Sequence, residues 1–319
     1  MENKNVFKGV IFVALGASFY GMLATFVKLA YKDGFTTAEV TSSQFTLGII
    51  GLFILHLIQS NTTKKSYSKT TSKNIGQLLL AGTSYGGTSL FYYLSVQTLD
   101  VSIAIVLLMQ SVWFSVVVES ILNKEFPSGR KIIATIIVLV GTAFATNAIN
   151  TTIELDPKGV FWGLMAAGSY TVTMFTANKI ANHLPPVKKS LFMLLGGSAL
   201  IFGYLFFAQI GPLHFDVIKE FHLSRGNDSA TIRPFDFSIF YTYGLILALF
   251  GTIIPPIFHN KGFPHTGLGL GSIVTSLELP VSVSMAYVLL QEKVIFVQWI
   301  GIALILFAIV LMNLQKKKG

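Results

Sequence analysis

Long runs of apolar residues, separated by short polar stretches, make up most of this chain. A helix of about 20 residues crosses a hydrocarbon core of roughly 30 Å, and backbone groups in lipid must pair within their own helix. The sequence therefore predicts an all-α membrane protein with ten transmembrane helices. These spans cover residues 7–30, 38–59, 75–97, 101–121, 130–148, 158–180, 189–210, 239–258, 267–289 and 295–314.

The composition of the chain agrees with this prediction. Of its 319 residues, 52% are hydrophobic and 12% are charged, whereas roughly 25% of the residues in a soluble domain are charged. There is no cysteine, which excludes disulfides, thiolate catalysis and cysteine metal sites. The first apolar run is longer than the core of a signal peptide, so we interpret it as a span that is retained.

The basic residues indicate a topology. Short lysine clusters separate the apolar runs, so the net charge of +9 does not predict nucleic-acid binding. Cytoplasmic loops are enriched in Lys and Arg. With a cytoplasmic N-terminus and Lys28 within the first span, the inner basic residues are Lys4, Lys8, Lys64, Lys65, Lys69, Lys73, Lys124, Arg130, Lys131, Lys179, Lys188, Lys189, Lys261, Lys316, Lys317 and Lys318. The outer ones are Lys32, Lys158, Lys219, Arg225, Arg233 and Lys293. We predict that both termini are cytoplasmic.

The two halves of the chain resemble each other. A Gly-Val pair opens the first and the sixth spans at positions 9–10 and 159–160, and Tyr20 and Tyr170 follow with the same offset of 150. Glu125 and Glu292 stand 167 apart, each between two apolar runs. We predict a first five-helix repeat over residues 1–148 and a second over 149–319. Because five is odd, the second repeat is inverted, which places a binding cavity between the repeats near the membrane midplane.

Three stretches of the second half carry a family resemblance. Residues 276–281 (Ser-Leu-Glu-Leu-Pro-Val), 289–293 (Leu-Leu-Gln-Glu-Lys) and 298–301 (Gln-Trp-Ile-Gly) resemble EamA-type members of the drug/metabolite transporter superfamily. The first half is a weaker copy, with Gln110, Ser111 and Trp113 where the second half has its Glu and Pro. The resemblance implies two inverted five-helix repeats around a central cavity, and often the export of amino acids or similar metabolites.

Glu278 is the leading candidate for a substrate-binding residue. It lies about eleven residues into its span, roughly 16 Å deep, where a carboxylate costs at least about 2.5 kcal/mol. Pro280 cannot donate to the carbonyl of Ser276, and Thr275 and Ser282 fall on the same helix face as Glu278. We predict a cavity-facing ligand for an ammonium group, a proton-coupling site, or both. The alternative is a structural glutamate that is protonated or hydrogen-bonded to a neighbouring helix.

Polar stripes on other spans supply further candidates. The first, third and sixth spans carry polar residues at helical spacing, and hydrogen-bonding groups lie near the midplane; both features predict a cavity lining. The alternative is that the small and hydroxyl residues serve helix packing in lipid. The remaining substrate-binding candidates are Tyr20, Tyr85, Ser89, Gln110, Trp113 and Tyr170. We predict walls from spans 1, 3, 4, 6, 8 and 9, with spans 5 and 10 peripheral. Pro255 and Pro256 predict a hinge or a packed kink, and His259 an interfacial side chain.

No motif in the sequence predicts an enzyme. Residues 82–86 (Gly-Thr-Ser-Tyr-Gly) match a nucleophile elbow, but they lie within a predicted membrane helix and have no assignable triad.

We therefore predict a secondary transporter in a bacterial inner membrane, an exporter of amino acids or similar small metabolites, with no cofactor or metal. Its partners are a small-molecule substrate, a proton as candidate coupling ion, and the lipid bilayer. The alternatives are a nucleotide-sugar type exchanger, favoured by the dilysine pattern at residues 316–318, an intramembrane enzyme, or a non-transporting receptor. The sequence indicates no oligomeric state.

Overall fold

The computed structural model describes residues 2–62, 70–99, 101–146, 156–224, 232–291 and 294–313, and these contain helices and no strand. The helices are α1 (Glu2–Lys32), α2 (Thr37–Thr62), α3 (Ser72–Thr98), α4 (Val101–Leu108), α5 (Ser111–Asn123), α6 (Gly129–Ala145), α7 (Pro157–Lys179), α8 (Pro186–Leu205), α9 (Gly211–His214), α10 (Asp216–Ser224), α11 (Leu245–Leu247), α12 (Ile254–Thr266), α13 (Leu268–Thr275), α14 (Glu278–Leu290) and α15 (Phe296–Asn313). Segments Phe206–Ile210, Phe240–Gly244 and Ala248–Ile253 are π-helical. The predicted all-α class is confirmed.

Six helical stretches of the described residues are long and apolar enough to cross a membrane. They are Asn5–Lys32, Thr37–Asn61, Ile103–Asn123, Pro186–His214, Phe240–Thr266 and Leu268–Leu289, with Phe296–Met312 as a shorter apolar helix. The remaining predicted spans are also helical where the structure describes them, but α3 and α7, which pack on each other, carry many polar residues. The count of ten crossings therefore stays a prediction.

The same broken helix occurs in both halves. Helices α4 and α13 have 8 residues each, α5 and α14 have 13 each, and a two-residue break separates the members of each pair. The boundaries of α13 and α14 each lie 167 positions after the corresponding boundaries of α4 and α5. Both units end in a left-handed residue, Lys124 with a φ of 54° and Gln291 with a φ of 56°. The predicted boundary between repeats at 148/149 lies outside the described residues, as do Glu292 and Lys293.

The halves pack on each other in a reciprocal way. Helix α1 runs antiparallel to α12, so that Gly9 meets Gly262 and Gly16 meets Pro255. Helix α7 runs antiparallel to α3 in the same manner, with Gly159 beside Thr98. The first helix of each half thus packs on the third membrane segment of the other half. Helices α6 and α15, the last of each half, pack on one another. This exchange of partners is the arrangement that a two-fold relation between halves produces.

Glycines let α3 approach α8 closely. A Cβ atom at Gly86 would overlap the backbone carbonyl of Gly197, and one at Gly82 would overlap that of Met193. Without a strong hydrophobic force between helices in lipid, small residues allow the backbones to make van der Waals contact. At Gly82 and Gly86 the small residue therefore serves helix packing, the alternative to cavity lining that the sequence leaves open.

We expect Gly86→Ala to lower the thermal unfolding temperature of the purified protein. The added methyl group must push α3 and α8 apart, and such overpacking costs about 1–3 kcal/mol. Gly76→Ala on the same helix is the matched control, because a Cβ atom there meets nothing within 4 Å. The control should be neutral or stabilising, since Ala favours helix by about 1 kcal/mol over Gly. Equal unfolding temperatures for the two variants would contradict the close packing of α3 on α8.

Basic residues gather at one end of the bundle. The Lys261 ammonium lies 4.5 Å from the centre of the Phe12 ring near the start of α1. Lys131 pairs with Glu119 beside Gly267, which follows α12. The α1–α2 turn and the segment around Arg233 lie at the opposite end. This arrangement separates described inner from described outer basic residues as the sequence predicts, while the cytoplasmic assignment of the basic end stays a prediction.

Labelling from outside intact cells tests that assignment. A cysteine placed at Gly226, in the predicted outer loop, should react with a membrane-impermeant maleimide. A cysteine at Ser66, in the predicted inner loop, should react only after the cells are permeabilised. Both positions lie outside the described residues, so the expected labelling pattern is based on the distribution of basic residues in the sequence. The reverse labelling pattern would overturn the predicted orientation.

Candidate functional site

Glu278 lies at a break in the membrane-embedded helix. It is the first residue of α14, directly after Ser276 and Leu277, where the helix is interrupted. Its side chain is 8% exposed, and its Oε2 atom has no hydrogen-bond partner among the described residues. The positive end of α14 stabilises a carboxylate by about 1 kcal/mol, which is less than the several kcal/mol that removing the charge from water costs. Glu278 therefore still requires a further partner.

The backbone around Glu278 differs from our prediction. We predicted that Pro280 leaves the Ser276 carbonyl free, but the Leu279 N–H donates to this carbonyl at 3.1 Å. The tight turn at the break satisfies the acceptor that the proline cannot. The break also interrupts the single helix face on which we predicted Thr275 and Glu278. The Glu278 carboxylate, and not a backbone oxygen, is the unsatisfied group here.

A cavity of about 30 Å³, which we call the Glu278 cavity, adjoins this carboxylate. Its walls come from α1, α3, α4 and α14, and its lining residues are Tyr20, Leu23, Ala24, Thr88, Ser89, Tyr92, Tyr93, Leu108 and Glu278. The structure thus brings three predicted site residues together, Tyr20, Ser89 and Glu278. Thr88 and Tyr93 were missed, because they stand next to the polar stripe of α3 and not on it. The volume holds about two water molecules, so no amino acid fits in the cavity in this conformation.

Three tyrosines lie next to the Glu278 cavity at the centre of the bundle. The Tyr20 hydroxyl donates to the Tyr85 hydroxyl at 3.1 Å, and the rings of Tyr20 and Tyr170 lie 6.1 Å apart. The Tyr85 hydroxyl in turn donates to the Gly251 carbonyl at 2.5 Å. That carbonyl needs a partner because Pro255, four residues later, has no N–H. We call Tyr20, Tyr85 and Tyr170 the tyrosine cluster; it joins α1, α3 and α7 to the proline-containing segment.

A second cavity of about 10 Å³, the His259 cavity, lies on the basic side of the tyrosine cluster. Its lining residues are Tyr20, Tyr85, Tyr170, Thr173, Met174, Ala177, Met193, Pro256, His259 and Asn260. The prediction that His259 is interfacial is wrong. Its side chain is 4% exposed, and its ring stacks on that of Tyr20 with centroids 5.9 Å apart. The tyrosine cluster separates this cavity from the one that Glu278 lines.

The walls of both cavities follow the predicted spans closely. Spans 1, 3, 4 and 9 line the Glu278 cavity, and spans 1, 3, 6 and 8 line the His259 cavity. Helix α8, in span 7, adds Met193, which we did not predict. Helices α6 and α15 supply no residue to either cavity.

Two predicted site residues lie near Glu278 in sequence but outside both cavities. Thr275 is fully buried, and its hydroxyl donates to the Ser272 carbonyl at 2.7 Å. Ser282 is buried one turn beyond Glu278 on α14. Their roles in binding stay predictions.

Gln110 and Trp113 lie at the corresponding break between α4 and α5. The Gln110 Nε2 atom donates to the Val106 carbonyl at 2.9 Å. The Gln110 Oε1 atom accepts a 2.9 Å hydrogen bond from Trp113 Nε1. Trp113 is 39% exposed, on the outer side of the bundle, and the pair lines neither cavity. These residues satisfy each other locally, and their predicted contact with substrate stays a prediction.

Comparison with known proteins connects this fold to one family. The model of the EamA-like transporter family matches the chain twice, over residues 7–147 and 157–314. No curated protein matches the sequence. A solved structure, described as the crystal structure of a protein, is similar to 98% of this chain and 99% of its own chain, with a TM-score of 0.70 and 13% sequence identity. At that identity the similarity concerns the fold alone.

Proposed function

Because the chain belongs to the EamA-like transporter family, a family of membrane transporters, we propose that it exports amino acids or similar small amines across a bacterial inner membrane. The observation that supports this cargo is the Glu278 carboxylate, which adjoins a cavity with one oxygen atom unpartnered. A carboxylate in a nonpolar interior requires a cation or a proton. A primary ammonium group supplies both a charge and hydrogen-bond donors.

The surroundings of Glu278 suit such a group. Thr88 and Ser89 contribute hydroxyl oxygens, and Tyr20, Tyr92 and Tyr93 contribute aromatic rings to the same walls. Ammonium groups bind aromatic faces with about 0.5–2 kcal/mol, the larger value when water is excluded. A nucleotide sugar carries phosphates, which the Glu278 carboxylate would repel. The lining therefore favours an amine over the nucleotide-sugar alternative.

The same carboxylate provides a means of coupling. An empty transporter that returned with a charged Glu278 would carry an unpaired carboxylate through the membrane, which costs several kcal/mol. A proton that binds when the amine leaves removes this cost. Proton and amine then compete for one group, so an inward proton gradient drives the amine outward. Glu278 is the group that makes this exchange obligatory.

Transport requires the bundle to adopt a wider conformation. A cavity of about 30 Å³ is smaller than any amino acid, so the cargo enters when the bundle parts. The tyrosine cluster is the obstacle between the two cavities. Through Tyr85 the cluster is attached to Gly251 in the π-helical segment Ala248–Ile253, which ends two residues before Pro255. A segment with non-α hydrogen bonding and two prolines bends more readily than a regular helix, so we place the hinge here.

Flux measurements in proteoliposomes test the proposed function. We expect counterflow of at least one radiolabelled amine from a panel of the twenty amino acids, ethanolamine and putrescine. An imposed pH gradient should accelerate this flux, and unlabelled nucleotide sugars should not compete with it. Liposomes without protein serve as the control. If a nucleotide sugar exchanges and no amine does, the assignment of an amine cargo is wrong.

A further inference from the structure

We propose that α10 is an interfacial membrane anchor, whose apolar face inserts into the lipid headgroup region at the end of the bundle opposite the basic residues. Its partner is the lipid surface itself. The helix (Asp216–Ser224) lies in the long connection between the seventh and eighth predicted spans, so neither crossing includes it. The inference does not depend on the proposed cargo.

The membrane stretch before α10 sets the depth of this helix. Pro186–His214 is an apolar helical stretch of 29 residues, about 43 Å long at 1.5 Å per residue. A bilayer with its headgroups measures roughly 40–45 Å, so this stretch ends at the outer edge of the headgroups. The chain is extended at Phe215, and α10 then contacts both α9 and the segment Phe206–Ile210. The helix therefore turns back toward the bilayer at headgroup depth and does not project into water.

One face of α10 is apolar. Ile218 packs on Gly211, where a Cβ atom would lie 2.9 Å from the Ile218 Cδ1 atom. Val217 and Phe221 lie within about 100° of Ile218 around the helix, at 3.6 residues per turn. Val217 is 80% exposed and Phe221 is 54% exposed. The described residues of the protein therefore leave this apolar face uncovered.

The opposite face of α10 is mainly polar. Asp216, Lys219 and Glu220 are exposed there, and Leu223 near the helix end is an apolar exception. A helix with separate apolar and polar faces lies in the plane of the membrane surface, with its apolar side about 5–10 Å deep. Two acids and one base give no attraction to anionic lipid. Insertion of α10 therefore depends on apolar contact.

The apolar face of α10 is continuous with the lipid-facing surface of the bundle. The Phe215 ring lies 6.0 Å from the Phe206 ring, which lies 5.4 Å from the Phe207 ring. All three side chains are exposed. Phe206 and Phe207 belong to the membrane stretch, so the lipid around them also reaches Phe215 and the helix that follows it. This continuity favours lipid over a protein partner as the occupant of the face.

Spin labels on the full-length protein in phosphatidylcholine vesicles test the anchor. The chain has no cysteine, so each variant carries one label. The variants are Val217→Cys and Phe221→Cys on the apolar face, and Lys219→Cys and Glu220→Cys on the polar face; all four side chains are exposed. Power saturation compares label collisions with oxygen, which concentrates in lipid, and with a water-soluble nickel chelate. The ratio of oxygen to nickel collisions should be higher at both apolar positions than at both polar ones.

The lipid composition separates apolar insertion from charge attraction. The same pattern should appear in an equal mixture of phosphatidylcholine and phosphatidylglycerol. A pattern that appears only with phosphatidylglycerol would overturn the proposal, since anionic headgroups would then hold the helix. If the label at Phe221 lowers the unfolding temperature, the comparison of Val217 with Lys219 decides, because Val217 is the more exposed apolar position.

Two further results would overturn the anchor. Equal ratios at all four positions would show that α10 lies in water. Protection of Val217→Cys and Phe221→Cys from both reagents would show that protein covers the face. Dipolar broadening of these labels that disappears when labelled protein is diluted with unlabelled protein would then identify the cover as a second copy of the chain.

Discussion

Glu278→Gln should lower amine flux in proteoliposomes about a hundredfold while leaving membrane yield and thermal unfolding unchanged. Glutamine keeps the size of the side chain but carries no charge and cannot exchange a proton. Removing one partner of a buried charged contact costs about 2–5 kcal/mol, and 1.4 kcal/mol corresponds to a factor of ten. The folded state loses nothing comparable, because Glu278 Oε2 makes no hydrogen bond with the described residues.

The controls for this prediction separate charge from position. Glu278→Asp retains the charge and should keep measurable flux. Glu220→Gln removes an exposed carboxylate from α10 and should behave like the wild type in every assay. An imposed pH gradient should accelerate the wild type and have no effect on Glu278→Gln. Wild-type flux and pH response in Glu278→Gln would show that this carboxylate has a structural role, and the site assignment would be wrong.

The helices could be predicted from the sequence because the membrane leaves the backbone few alternatives. Within the described residues each predicted span is mainly helical, and the repeated broken helix accords with the paired landmarks. The break between α4 and α5 could not be foreseen, since Met109 and Gln110 are neither Gly nor Pro. Its second-half counterpart precedes Pro280. The first half therefore has the break without a Gly or Pro to predict it. The two helices on either side of this break, α4 and α5, both pack against α7.

The His259 environment was mispredicted because a span boundary was misplaced. Hydropathy ended the eighth span at residue 258, whereas α12 continues to Thr266. The two additional turns move His259 from the predicted interface into the bundle, beside Tyr20. Pro264 and the polar residues of this stretch lower its hydropathy without ending the helix. A histidine near the end of an apolar run therefore has a depth that depends on where the helix ends.

Glu39 was not recognised from the sequence because its partners are distant in the chain. The side chain lies near the start of α2 and is fully buried. Its Oε1 atom accepts 2.8 Å hydrogen bonds from Gln209 Nε2 and from the Asp236 N–H, which are 170 and 197 residues away. Its Oε2 atom accepts from Arg233 at 2.6 Å and from the Thr36 N–H at 2.8 Å. In contrast to Glu278, both of its oxygens are satisfied by the protein.

Glu39→Ala should therefore destabilise the protein strongly, by about 3–5 kcal/mol. The substitution removes the acceptor of two part-buried backbone N–H groups and the closer acceptor of the Gln209 amide, which keeps a 3.4 Å hydrogen bond to the Pro234 carbonyl. A buried donor left unpaired costs about 1–3 kcal/mol. Arg233 adds little to this cost, because its side chain is 35% exposed and can bind water. The contacts of Glu39 also join the two halves of the chain, so their loss weakens the packing of the α1–α2 turn on the segment around Arg233.

Thermal unfolding in detergent or nanodiscs, followed by circular dichroism, measures this effect. We expect Glu39→Ala to unfold well below the wild type and to accumulate poorly in membranes, and Glu220→Ala, on the same end of the bundle, to match the wild type. Arg233→Ala should fall between them, because Glu39 then retains three of its four hydrogen bonds. If Glu39→Ala unfolds at the same temperature as the wild type and Glu278→Gln unfolds at a lower one, the structural and functional assignments of these two buried carboxylates are reversed.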